Sequence, residues 1–188
     1  FLPPAILYLI MAAQYATRPS ETMNAPIMGI ALFMGMVVVI TLFYSSSFKA
    51  SWLLQTAPIP RGRIIARTIE EGLFLILGSF LMLFLLVIGL FSPKELVTAL
   101  YTAVVAFLLS LGIGYVYGLI VREVPFSLDF AADSSRRRIL ILGALPIVAV
   151  FSSLWYLAAN GMPQLIPLIP FILLATDLAL RSSLEKVL

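Results

Sequence analysis

The sequence predicts an all-α fold: an integral membrane bundle of six transmembrane helices, with a short cytoplasmic interfacial helix between spans 2 and 3. Three observations predict it. The 188-residue chain is 62% hydrophobic and only 11% charged, whereas soluble domains carry about 25% charged residues. Apolar runs of bilayer-crossing length recur, and residues 25–44 and 72–91 contain no charge at all; about 20 apolar residues span the hydrocarbon core. Lipid offers the backbone no hydrogen bonds, so each span must pair its own polar groups, as a helix does. A single transmembrane domain covers residues 1–188. Phe1 already stands in an apolar run, so the chain is expected to be an excerpt of a longer protein. Pro3-Pro4 with no basic segment ahead of them do not read as a cleavable signal peptide.

The apolar runs are 1–14, 25–45, 72–92, 97–121, 138–159 and 163–180. The first is short, as a truncated span would be. The segments between them alternate in charge. Lys49, Arg61, Arg63 and Arg67 lie after run 2; Arg122, Arg136, Arg137 and Arg138 after run 4 and at the start of run 5; Arg181 and Lys186 after run 6. These are ten of the twelve basic residues; the other two, Arg18 and Lys94, fall in the alternating segments. The positive-inside rule puts the ten in the cytoplasm, with six spans and a cytoplasmic C-terminus. The net charge of +3 therefore serves topology and is no sign of nucleic-acid binding. The short turns Ser92-Pro93-Lys94-Glu95 and Asn160-Gly161-Met162-Pro163 make antiparallel hairpins of spans 3–4 and 5–6. No internal repeat is visible.

The polar segment 46–71 is the most structured connector. Phe48, Trp52 and Thr56 are spaced four apart and share a helical face, away from Lys49 and Gln55. Trp on one side and Lys on the other suit a short helix at the membrane–water interface. Ala57-Pro58-Ile59-Pro60 ends that helix, and Pro60 opens the next. Arg63, Arg67 and Glu70-Glu71 follow at spacings that permit ion pairs along an amphipathic extension of span 3. A plain connecting loop with a Trp anchor and topology-setting charges would read the same way.

Residues 48–72, FKASWLLQTAPIPRGRIIARTIEEG, resemble the cytoplasmic loop after span 2 in the permease subunits of ABC-2-type ABC transporters. The matching positions are Lys49, Ala50, Trp52, Ala57, Pro58 and Ile59, followed by Arg61, Arg63 and Arg67. The six-span layout also fits, while the amphipathic helix that usually precedes span 1 in that family is missing. The resemblance implies that residues 49–61 form a coupling element docking into a cleft of a separate ATP-binding subunit. Trp52, Leu53, Pro58 and Ile59 would supply the apolar contact, with Lys49, Arg61 and Arg63 as its charged rim. It further implies an exporter working as a dimer of membrane domains in the cytoplasmic membrane, with ATP bound and hydrolysed on the partner subunit and no cofactor of this chain's own.

Three further features were candidates. Asp177 near the end of span 6 has Arg181 four residues on, at the spacing of an ion pair, although ionisable residues within membranes also mark transport sites. Gly112, Gly114 and Gly118 in span 4 include a Gly-x-x-x-Gly spacing that lets helices approach closely, within the bundle or at a dimer seam. Arg136-Arg137-Arg138 could meet anionic lipid headgroups or simply set topology. Enzyme readings lack their residues. There is no histidine or cysteine for a metal site or a thiol nucleophile, and no P-loop. Glu70-Glu71 lacks the arginine that a CAAX-type membrane protease has four residues on, where Leu75 stands. The rival readings are a gradient-driven transporter or channel, which needs ionisable or broken-helix sites at mid-membrane, and a non-transporting membrane scaffold or sensor.

Overall fold

The computed structural model describes residues 24–45, 56, 58–121, 128–129 and 167–187. Within them lie four α-helices: α1 (Asn24–Leu42), α2 (Arg61–Phe91), α3 (Leu96–Val121) and α4 (Ile169–Val187). A two-residue strand, β1 (Tyr44–Ser45), pairs in parallel with β2 (Leu128–Asp129). Apart from that pairing the described residues are all-α. Two helical segments, Arg61–Phe91 and Pro93–Val121, are long and apolar enough to cross a membrane. The expected first and fifth spans and the interfacial helix carrying Trp52 lie outside the described residues.

At 31 residues, α2 is about 46 Å long at 1.5 Å per residue. Its first third is the charged extension and the remainder is the uncharged span. Pro60 precedes its first turn, and the Pro60 carbonyl accepts hydrogen bonds from the amides of Arg63 (3.0 Å) and Ile64 (3.2 Å). Proline thus caps the helix rather than occupying its first helical position, as the sequence suggested. At the far end Ser92 and the 3₁₀ turn Pro93–Glu95 lead directly into α3, so α2 and α3 form the expected hairpin.

The outward faces of the long helices are apolar as well as the buried ones. Ile65, Ile69, Leu73, Leu77, Leu81, Phe84 and Ile88 form the buried stripe of α2, at the three- and four-residue spacing of a helix face. The opposite face would be polar in water. Here it carries Phe74, Leu75, Met82, Leu86 and Leu90, all exposed. Only 28% of the most apolar window of α2 and 39% of that of the α3 segment is buried. By contrast α1 is apolar all round, and none of its residues from Met28 onward is exposed.

The most central of the four helices is α3, which packs against α1, α2 and α4. In lipid there is little hydrophobic drive between apolar helices, and close packing takes its place. Gly114 and Gly118 provide it. A Cβ on Gly114 would meet Ile69 Cγ2 at 2.6 Å and Val39 Cγ2 at 3.2 Å. One on Gly118 would meet Ile65 Cγ2 at 3.0 Å and Leu184 Cδ1 at 3.5 Å. These two glycines therefore seat α3 within its own bundle. Two buried hydroxyls of α3 are satisfied within the helix: Ser110 donates to the Ala106 carbonyl at 2.8 Å and Thr102 to that of Thr98 at 2.9 Å.

These contacts place the C-terminal ends of α1, α3 and α4 beside the N-terminal end of α2. Arg61, Arg63, Arg67, Arg181 and Lys186 share that end of the bundle, and Lys94 lies at the other.

Candidate functional site

The basic end of the bundle has two parts: an exposed elbow and, beneath it, a layer of interlocked charges. In the elbow, Pro58, Ile59, Pro60 and Arg61 are all exposed, with Ile59 showing 49% of its surface. An apolar side chain displayed between two prolines has no rotation at φ to spare at either neighbour. Arg61 and Arg63 are exposed beside it, and buried Gly62 stands between them. Gly62 is where α2 touches α4. A Cβ there would lie 2.8 Å from the Leu184 carbonyl carbon and 2.9 Å from the Glu185 Cα, so only glycine permits this backbone approach. Of the expected coupling residues, Pro58, Ile59, Arg61 and Arg63 therefore form one exposed patch, while Lys49, Trp52 and Leu53 lie outside the described residues.

About 14 Å along α2 from Arg61, at 1.5 Å per residue, Glu70 joins three helices. Its Oε1 accepts a hydrogen bond from the Tyr115 hydroxyl of α3 at 2.7 Å. It also pairs with Arg181 Nε of α4 at 3.3 Å. Arg181 Nε is shared with Glu185 Oε1 at 3.2 Å. The Glu70 carboxylate, with Glu185 adding to it, raises the Arg181 pKa above its ordinary value, so the guanidinium stays charged at any accessible pH. Arg67 pairs with Glu71 at 2.8 Å on the exposed side of α2. Glu70 and Glu71 also border a shallow cavity of about 480 Å³ with Phe74, Leu75, Phe107 and Leu111.

The expected pair of Asp177 and Arg181 is not formed. The long apolar stem of arginine lets its head turn toward the polar end of the helix, where Glu70 and Glu185 take it. Asp177 is left one turn deeper, 5% exposed, with Oδ2 lacking a hydrogen-bond partner among the described residues. Gly112 makes room for it, since a Cβ there would stand 2.8 Å from Asp177 Oδ1. The three glycines of α3 thus do different work, Gly112 beside a carboxylate and Gly114 and Gly118 against apolar neighbours.

The contact of Glu70 with Tyr115, 45 residues apart in the chain, carries no local signal. Phe43 packs edge-on against Tyr117, with ring centroids 5.2 Å apart, closing the bundle at the same end.

No match was found to a protein-family model, a curated protein or a solved structure.

Proposed function

We propose that this chain is the membrane-spanning permease component of an ATP-driven exporter of the ABC-2 type. It has six spans, a cytoplasmic C-terminus and a partner ATP-binding subunit, and it works as a pair of membrane domains in the cytoplasmic membrane. The observation that carries this reading is the exposed Pro58-Ile59-Pro60 elbow running without a break into the 31-residue α2. An apolar tip with a basic rim suits an apolar cleft with an acidic rim on a partner, a buried anchor inside a charged border. Because Pro60 caps α2 directly, a push on the elbow is delivered to the whole helix. Gly62 and Glu70 pass that displacement to α4 and α3 through the Leu184 backbone, Arg181 and Tyr115. ATP binding that closes the partner subunits would in this way shift α2, α3 and α4 together and open a path between the paired membrane domains.

Ile59→Asp tests the docking. Ile59 is exposed, so the substitution leaves the bundle folded, and a pull-down of the full chain with its ATPase should lose the ATPase, as it should with Trp52→Asp. Undiminished association of both variants would overturn the assignment. The gradient-driven transporter draws on one observation, the buried Asp177 within the apolar part of α4. Transport by reconstituted vesicles that continues without ATP would favour that reading.

A further inference from the structure

We propose that the groove between α3 and α4 binds an amphipathic organic ammonium, whose charged N–H group pairs with Asp177 while its apolar body lies along Leu109, Ile113 and Leu173. The groove holds about 450 Å³, and among the described residues it is lined by apolar side chains except at Asp177 and Thr176. That volume lies within the roughly 300–1,000 Å³ of small-molecule sites, which combine apolar walls with a few polar groups that fix orientation. The Thr176 hydroxyl donates to the Ile172 carbonyl at 2.8 Å. That leaves Asp177 as the polar group facing the groove with capacity to spare. Asp177 is 5% exposed, and its Oδ2 has no partner among the described residues.

The chemistry of the occupant follows from charge and shape. A buried carboxylate without a donor is costly, and an N–H donor that carries positive charge relieves both deficits at once. The guanidinium of Arg181 is engaged by Glu70 and Glu185, so Asp177 adds a third carboxylate that this cation does not neutralise. An anion would enter against that excess. A metal ion would need several hard ligands, and the described residues contain no group of three that could hold one. An organic cation uses the apolar walls as well as the carboxylate. Depth fits too: Leu173 is one helical turn further from the basic end than Asp177. A ligand with its ammonium at Asp177 therefore lays its body toward the middle of the bilayer.

As a statement of substrate class this rests on the transport reading above. Binding itself requires no ATPase, so its failure leaves the Ile59 docking experiment unaffected. The full chain in nanodiscs of uncharged phosphatidylcholine would be titrated with dansylcadaverine, a fluorescent primary ammonium, and with its neutral N-acetyl derivative. Saturable binding of the ammonium is expected, with Asp177→Asn weakening it by about tenfold or more, the scale of a charge-assisted hydrogen bond. The acetylated dye should compete poorly. Leu109→Trp keeps the carboxylate but fills the groove, and it should also weaken binding, so it carries the test should the Asn variant fail to fold. No saturable binding, equal affinity in either variant, or equal competition by the neutral dye would overturn the proposal.

Discussion

Gly62→Ala isolates the contact between α2 and α4. The new Cβ would stand 2.8 Å from the Leu184 carbonyl carbon and 2.9 Å from Glu185 Cα, and nearer still to the Leu184 carbonyl oxygen. Ordinary contact begins at 3.4 Å, so the helices must part by roughly 0.6 Å or more. All three atoms belong to the backbone and cannot rotate aside, which puts the cost toward the upper end of the about 1–3 kcal/mol typical of overpacking. Alanine recovers up to about 1 kcal/mol of helix propensity, and less in a first turn, leaving a net loss of about 1–2 kcal/mol. Ile65 and Leu184, both 0% exposed, would loosen, and the 3.3 Å pair between Glu70 and Arg181 would stretch. On the scale of about 2–4 °C per kcal/mol for a chain of this size, Tm should fall by about 2–8 °C. Thermal unfolding in detergent micelles reads this directly. Gly78→Ala on the same helix is the control. Its nearest neighbours would be 3.9 and 4.0 Å away, so its Tm should hold or rise. A Gly62→Ala protein as stable as the parent, or a Gly78→Ala protein that falls as far, would refute the reasoning.

Three other outcomes are expected. Tyr115→Phe and Glu70→Ala should each destabilise the bundle and be coupled by about 1 kcal/mol in a double-mutant cycle, because each removes one partner of a shared hydrogen bond; strict additivity would deny that bond. Glu71→Gln should change stability by less than about 0.5 kcal/mol, since its pair with Arg67 is exposed to water, and a larger loss in chemical denaturation would give that pair a structural weight the geometry does not. The chain has no native cysteine, so single cysteines at Arg63 and Lys94 can be labelled cleanly. A membrane-impermeant maleimide should reach them from opposite faces of oriented vesicles, and labelling from one face would contradict the spanning arrangement.

The exposed faces explain why a bundle with so few polar contacts is coherent. Phe74, Met82, Leu90, Val97, Ile120 and Phe171 would be a severe liability in water. Against acyl chains, the surroundings the proposed function gives them, such faces would be neutral, and helix association would rest on the small residues that bring backbones together. Gly62, Gly114 and Gly118 supply such contacts, and Gly35 adds another where α1 meets Ser110 of α3. The interlocked charges at the basic end then add direction to a packing that would otherwise allow helices to slide.

Sequence alone determined the character of the elements. The uncharged run 72–91 and the hairpin at Ser92-Pro93-Lys94-Glu95 were legible because length, hydropathy and turn chemistry act locally. The start of α2 after Pro60 was legible for the same reason, as proline restricts its own backbone and that of its neighbour. The tertiary structure decided partnership. Asp177 and Arg181 have the spacing of an ion pair, yet Arg181 lies against Glu70 and Glu185 and leaves Asp177 unpaired among the described residues. The glycines of α3 looked alike in sequence, yet one faces a carboxylate and two face aliphatic side chains. Periodicity states which face of a helix is apolar or charged. Which neighbour meets that face, and at what depth, depends on how distant helices cross, and no local spacing encodes the 45-residue reach from Glu70 to Tyr115.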